Sequence, residues 1–218
     1  ALFIGIVMAV FCSLFIGTEY SDGTIRNKVV IGQKRTSIYL SNLIICAIVS
    51  IVMCAAFLIA YLCVGIPLLG FFEMGIKLVL LFTLAVFVLS IAFASIFTLI
   101  SMLNHNKAIT AVVCILLAFL LLFAGAQLYK MLNEPETNMG LITTENGQEY
   151  QEIPNPNYLE DGKREVVQFL YDFVPGGQAL QCVSLEANNI VVLPVYSLII
   201  IILTTGIGMF FFRKKELK

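Results

Sequence analysis

The sequence predicts an all-α polytopic membrane protein, and three observations predict it. First, the 218 residues are 60% hydrophobic and 12% charged, where a soluble domain is about half apolar and about a quarter charged. The mean hydropathy is +0.96. Second, five apolar runs reach or approach the roughly 20 residues that carry a helix across a bilayer: 1–16, 41–66, 78–103, 108–130 and 190–212. Third, the central parts of these runs hold no Asp, Glu, Lys, Arg or His, residues that are expensive in hydrocarbon. A small α+β extracellular cap is expected between the last two spans.

The elements follow in order. Run 1–16 is short and begins with Ala1, so it is expected to be the remainder of a span, with one further span ahead of it making six. It has no basic leading region and no small-x-small cleavage pattern, which argues against a signal peptide. Segment 17–40 is polar and punctuated by glycine: GTEYSDGTIRNKVVIGQKR over 17–35. Ser21 and Asp22 suit an N-cap. Ile25, Val29 and Val30 follow at i, i+4 and i+5, so a short amphipathic helix is expected, with Arg26 and Lys28 on its polar side. Gly32 suits a left-handed ending. Lys34 and Arg35 mark the headgroup level, and Thr36 suits the cap of the span over 41–66. In loop 67–77, Glu73 and Lys77 have the Glu-to-Lys spacing that pairs on a helix. The turn over 104–107 reads Asn104-His105-Asn106-Lys107, and a tail over 213–218 ends the chain.

Charge orients the spans. If they alternate, Arg26, Lys28, Lys34, Arg35, Lys107, Arg213, Lys214, Lys215 and Lys218 share one side. Only Lys77, Lys130, Lys163 and Arg164 lie on the other, although it holds more residues. The positive-inside rule then puts 17–40, 104–107 and 213–218 in the cytoplasm. The protein is expected in a cell membrane, the bacterial plasma membrane, with its C-terminus inside.

Several function classes lose support. Intramembrane charges mark proton relays and ion coupling, and their absence disfavours a pump acting alone. No H-E-x-x-H, G-x-S-x-G or P-loop pattern occurs, and the only histidine is His105, in a polar turn without an acid or thiol neighbour. No catalytic residue is expected. Of six cysteines, five (Cys12, Cys46, Cys54, Cys63 and Cys114) lie in apolar runs and read as small hydrophobes, while Cys182 stands alone. No Cys/His cluster offers a metal site, and no basic face offers a nucleic-acid site. Ser90 with Ala94, and Thr204 with Gly208, have the small-xxx-small spacing of close helix packing. Lining of a substrate path is the alternative use of such residues.

The external segment 131–189 is acidic: 131–188 holds ten acidic residues and two basic ones, a net of 2 − 10 = −8. Asn146-Gly147 lies between β-compatible flanks over 141–150, which predicts a hairpin. Pro154, Asn155 and Pro156 break the chain. Asp161 then suits the cap of a helix with Val166, Val167, Leu170, Phe173 and Val174 along one stripe, ended by Pro175-Gly176-Gly177. A second short helix is expected over 178–187.

The run Glu19-Tyr-Ser-Asp-Gly-Thr-Ile-Arg-Asn27, followed by Gly32 and Arg35, resembles a motif of ABC transporter permeases of the type-2 exporter class. In such proteins a span ends in Glu, a Gly-Thr-Ile-[Arg/Lys]-Asn element follows, and the next helix starts after a Gly-x-x-Arg step. The match begins at the family's second span, so the first span is the departure. The resemblance implies that 23–30 is a coupling helix contacting a cytosolic ATP-binding cassette subunit. Glu19, Gly23, Thr24, Ile25, Arg26, Asn27, Val29, Val30, Gly32 and Arg35 would form that contact and its hinge, with Glu19 pairing with Arg26 or Arg35. Asn104, His105, Asn106 and Lys107 would form a second, smaller contact. ATP and Mg would bind the partner, with no cofactor in this chain, and a second permease would complete the path. A cap that dips into the outer leaflet, and a cargo such as an antimicrobial peptide, drug or lipid-like molecule, are also implied. The alternative class is a non-transporting membrane sensor or immunity protein that binds a ligand through its extracellular segment.

Overall fold

A computed structural model describes residues 2–70, 74–144 and 147–215. Glu73, expected to pair with Lys77, and Asn146, expected at the hairpin tip, lie outside the described residues, as do Ala1 and Lys218. Among the described residues the helices are α1 (Leu2–Ser21), α2 (Thr24–Val30), α3 (Arg35–Ala60), α4 (Ile66–Leu69), α5 (Ile76–Leu103), α6 (Lys107–Leu132), α7 (Asp161–Phe173), α8 (Pro175–Ser184) and α9 (Val192–Lys214). A single π turn, Tyr61–Gly65, joins α3 to α4. Strands β1 (Thr137–Thr144) and β2 (Gly147–Pro154) form an antiparallel hairpin.

Five helical stretches among the described residues are long and apolar enough to cross a membrane: α1, Arg35–Leu68, α5, α6 and α9. This is the architecture of a multi-pass membrane protein, since in lipid a helix satisfies its own backbone. Most of the helices run past the expected edges. Segment 17–40 contributes five residues to α1 and, from Arg35, the first turns of α3. The helix of 41–66 continues to Leu69, and that of 108–130 to Leu132. Polar residues at a span's end do not by themselves stop a helix; a cap, a turn-forming glycine or a proline does.

α1 and α5 form the centre, each 44% buried over its most apolar window, against 17–22% for the other three. The helices are apolar almost all round, so polarity rather than greasiness marks the inward side. On α5, Ser90, Ala94, Ser95, Thr98 and Ser101 are all buried, with Ser90 against Ser50 of α3 and Ser101 against Cys114 of α6. Ser95 and Thr204 hydrogen-bond at 2.9 Å between α5 and α9, and Gly208 gives Tyr39 of α3 its place against α9. Cys12, Cys46, Cys54 and Cys114 are buried as expected of small hydrophobes, whereas Cys63 is exposed.

The hairpin register pairs Leu141 with Tyr150 and Thr144 with Gly147, leaving a two-residue connection. The ladder is longer than expected, running from Thr137–Pro154 inward. Buried Asn155 closes its base by donating to Glu134 Oε2 (3.1 Å) and the Pro135 carbonyl (2.9 Å). One expectation about the cap is corrected and another extended. The N-cap of α7 is Glu160, so Asp161 is the first helical residue. α7 ends as expected before Pro175, with Val174 extended, and Pro175 also opens α8, because proline at the first helical position gives up only an unneeded N–H. Gly176 and Gly177 lie in that first turn, and Gly176 sits so close to the α6 backbone at Leu121 that a Cβ would collide with it.

Candidate functional site

The expected coupling segment sits at the end of the bundle away from the hairpin, where α1, α5 and α9 end and α3 and α6 begin. α2 is a separate short helix held between two left-handed glycines, Gly23 (φ 70°) and Gly32 (φ 94°). Gly23, not Ser21 or Asp22, is the N-cap. Ser21 is still part of α1 and donates its hydroxyl to the Gly17 carbonyl. Gly32 closes α2 as expected: its N–H donates to the Val29 carbonyl, and that of Gln33 to Lys28, both at 3.0–3.1 Å. This pair of bonds is the Schellman arrangement. α3 starts at Arg35 with Lys34 as N-cap, so Thr36 does not cap it.

One side of α2 is anchored. Ile25 is fully buried in the bundle core, and Thr24 and Val29 are half-buried. Lys28 was expected on the solvent side; it turns inward and forms a 2.6 Å ion pair with Glu19. Glu19 therefore pairs with neither Arg26 nor Arg35. Lys28 is one turn further along α2 than Thr24, which brings it over the last turn of α1. The other side is open: Arg26 and Asn27 are exposed, and Val30 and Ile31 are 77% and 81% exposed. Val30 thus leaves the apolar face assigned to it, because α2 presents only the Ile25–Val29 edge to the core.

Glu19 also accepts from Asn42 Nδ2 (2.9 Å), whose amide lies fully buried at the start of α3 and touches Met102 Sδ (3.5 Å). Next to it, Tyr20 donates to the Met102 carbonyl at 2.6 Å. Lys215 Nζ donates to the same carbonyl and to Tyr20 Oη, each at 2.9 Å. It stands 4.4 Å above the Tyr20 ring, a cation–π geometry. Burial pushes the Lys215 ammonium down to about 8. Arg35 donates to the Phe212 and Arg213 carbonyls (3.4 and 3.2 Å) and to that of Lys215. A cation there complements the free carbonyls and the negative end of α9.

The turn 104–107 joins the same end. Asn104 closes α5, and Asn106 caps α6 by accepting from Ala108 N (3.0 Å) and Ile109 N (3.3 Å). Lys107 reaches Thr18 Oγ1 at 2.7 Å. His105 meets the Tyr20 ring edge-on at 5.2 Å. Desolvation, then the charge of Lys215, lowers its pKa below 6.5. The residues brought together are thus Glu19, Lys28, Tyr20, Asn42, Met102, His105 and Lys215. Tyr20, Asn42, Met102 and Lys215 were not singled out from sequence. The signal for Asn42 was present: an amide inside an apolar run needs a partner.

On the cap, the expected α7 stripe divides. Val167 is buried with Tyr171 against Leu132, and Phe173 and Val174 are half-buried. Val166 and Leu170 are exposed. α7 rests on α6 along the Val167–Tyr171 edge, fixed by Arg164 donating to the Leu132 carbonyl (3.0 Å), and Phe173 meets Tyr196 of α9 edge-on at 5.7 Å, so only Val166 and Leu170 of the stripe are left outside. Among the described residues no group of His, Cys, Asp or Glu could hold a metal ion. No family model matches the chain, and neither the curated proteins nor the solved structures contain a match.

Proposed function

We propose that the chain is the membrane permease subunit of an ATP-driven exporter of the ABC type-2 class. In this reading α2 is the coupling helix. The observation that carries the proposal is the two-sided construction of α2: Ile25 and the Glu19–Lys28 pair fasten it, while Arg26, Asn27, Val30 and Ile31 face outward. An exposed apolar pair beside a cation is the composition of a protein contact. A push on α2 would reach α1 through Glu19, and α3 and α5 through Asn42 and Met102. A cytosolic subunit binding ATP and Mg supplies the work, and two such subunits closing would tilt the spans between two states. The turn 104–107 adds a second contact, and a second permease completes the path. In this reading the protein lies in the bacterial plasma membrane, with α2 and the C-terminus on the cytoplasmic side. The cargo is an antimicrobial peptide, drug or lipid-like molecule.

A second reading, a sensor or immunity protein, draws support from a polar cleft of about 520 Å³ in the cap, lined by Arg164, Gln168, Gln181 and Glu186 among others. One experiment separates the two. The tagged full-length protein is solubilised gently and its companions identified. A stoichiometric P-loop ATPase that is lost on Ile25→Asp/Arg26→Asp, with membrane insertion retained, supports the exporter. Recovery alone across several detergents, or an ATPase that stays bound to the double variant, refutes the coupling role of α2.

A further inference from the structure

We propose that the cavity between α1, α3 and α5 at the hairpin end binds one acyl chain of a bilayer phospholipid. The proposal needs only that the five helices lie in a bilayer, and does not rest on the exporter reading. The cavity measures about 330 Å³, within the range of small-ligand sites, roughly 300–1,000 Å³. Ile4 of α1, Cys54 and Phe57 of α3, and Phe82 of α5 line it.

Its chemistry excludes the other occupants. Among the described residues no charged side chain lines it, so those residues offer an ionic ligand no counter-charge. The hydroxyl of Thr83 is already donated to the Val79 carbonyl at 2.8 Å, and the thiols of Cys54 and Cys182 are weak partners. A trapped water wants about three good hydrogen bonds, and Thr83 and the two thiols, the polar side chains of this lining besides Tyr61, do not supply them. An empty space of this size forfeits dispersion contacts on every side. Hydrocarbon gives up no hydrogen bond on entering, and it is at the mouth: Phe3 and Phe57, at the rim, are 74% and 57% exposed on the outer faces of their helices.

The local backbone keeps the space open. The π turn begins at Tyr61, a lining residue, and π turns recur at functional sites. The Tyr61 ring lies back along its own helix over Gly65, where a Cβ would come within 2.9 Å of the ring. Any larger residue at Gly65 would press the ring from that position.

The chain contains no tryptophan, so one introduced Trp is a unique reporter. Phe82→Trp places it in the cavity, and Leu84→Trp, on the exposed side of α5, serves as the control. Each protein is reconstituted in phosphatidylcholine carrying bromine on its acyl chains. Quenching at Phe82→Trp comparable to that at Leu84→Trp is the expected result, lost when Cys54→Phe fills the cavity. An unquenched Phe82→Trp beside a quenched control overturns the proposal, whether the space is then empty or covered by protein. Should the filled variant misfold, phospholipid retained by the wild type after exhaustive detergent exchange decides: near-stoichiometric retention supports the site, and a lipid-free folded protein overturns it.

Discussion

Glu19 is the most informative residue to change, because it carries two interactions of different worth. Its Oε1 meets Lys28 at 2.6 Å, with side chains 16% and 29% exposed respectively. A pair that wet contributes about 0.2–1 kcal/mol. Its Oε2 accepts from Asn42, which is fully buried. A hydrogen bond to a charged group is worth about 1.5–3 kcal/mol, and stranding a buried amide costs a similar sum that overlaps with it. Among the described residues the only other partner of that Nδ2 is the Met102 sulfur at 3.5 Å, and sulfur is a weak acceptor. Glu19→Ala should therefore cost about 2–4 kcal/mol, while Glu19→Gln, which keeps an acceptor for Asn42, should cost about 1 kcal/mol. The assay is reversible unfolding by a denaturing detergent in mixed micelles, followed by far-UV circular dichroism. A double-mutant cycle with Asn42→Ala should return a coupling energy of roughly 0.5–3 kcal/mol, as for residues in contact. Equal losses for Ala and Gln, or a loss for Ala of no more than about 0.5 kcal/mol, the range of an ordinary surface change, would refute the reasoning.

The remaining predictions concern other parts of the fold. Gly32→Ala meets no atom within 4 Å but must hold φ 94°, so it should cost about 1–2 kcal/mol by backbone strain alone, read in the same unfolding assay; no loss would mean α2 ends differently. His105 should be neutral at pH 7 and titrate below 6.5, measured from its ring proton shifts. The unfolded chain takes that proton more readily, so stability should decline as pH falls through about 6.5 and level off below the lowered value. Lys215→Met should raise the His105 pKa without restoring the ordinary value, because desolvation, the larger cause, remains. An unchanged titration would remove Lys215 from its surroundings. Lys163→Cys, made with Cys63→Ser because that thiol is exposed, should react with an impermeant thiol reagent on intact cells; reaction only after lysis would invert the orientation.

Much of the site was legible as a set of residue types and illegible as a set of partners. The segment GTEYSDGTIRNKVVIGQKR announces a short helix between breakers, and that helix exists with Gly32 at its end. Which way it rolls does not follow from spacing. Ile25, Val29 and Val30 make one stripe on a wheel, yet seven residues give the core room for a single edge, so Val30 is left outside and Lys28 is drawn under. The partner of Glu19 depends on where α2 lies over α1, and four cations nearby in sequence, Arg26, Lys28, Lys34 and Arg35, compete for it on equal terms. Tyr20 and Lys215 are 195 positions apart, and no local pattern joins them. The cap behaves in the same way: Asn146-Gly147 between β-compatible flanks announces a hairpin, whereas the division of the α7 stripe follows from how α6 receives Val167 and Tyr171.

The sequence by itself determined the number and rough extent of the apolar spans, because a bilayer demands a minimum length of uninterrupted hydrocarbon and satisfies no stray charge. It also determined the breaks, since glycine and proline act on their own backbone. Only the tertiary structure decided which helices stand at the centre, which polar groups meet, and where a cavity is left. When nearly every face of a helix is apolar, greasiness no longer distinguishes inside from outside. Neighbour choice then falls to small residues such as Gly176 and Gly208 and to single buried hydrogen bonds, whose partners are distant in sequence.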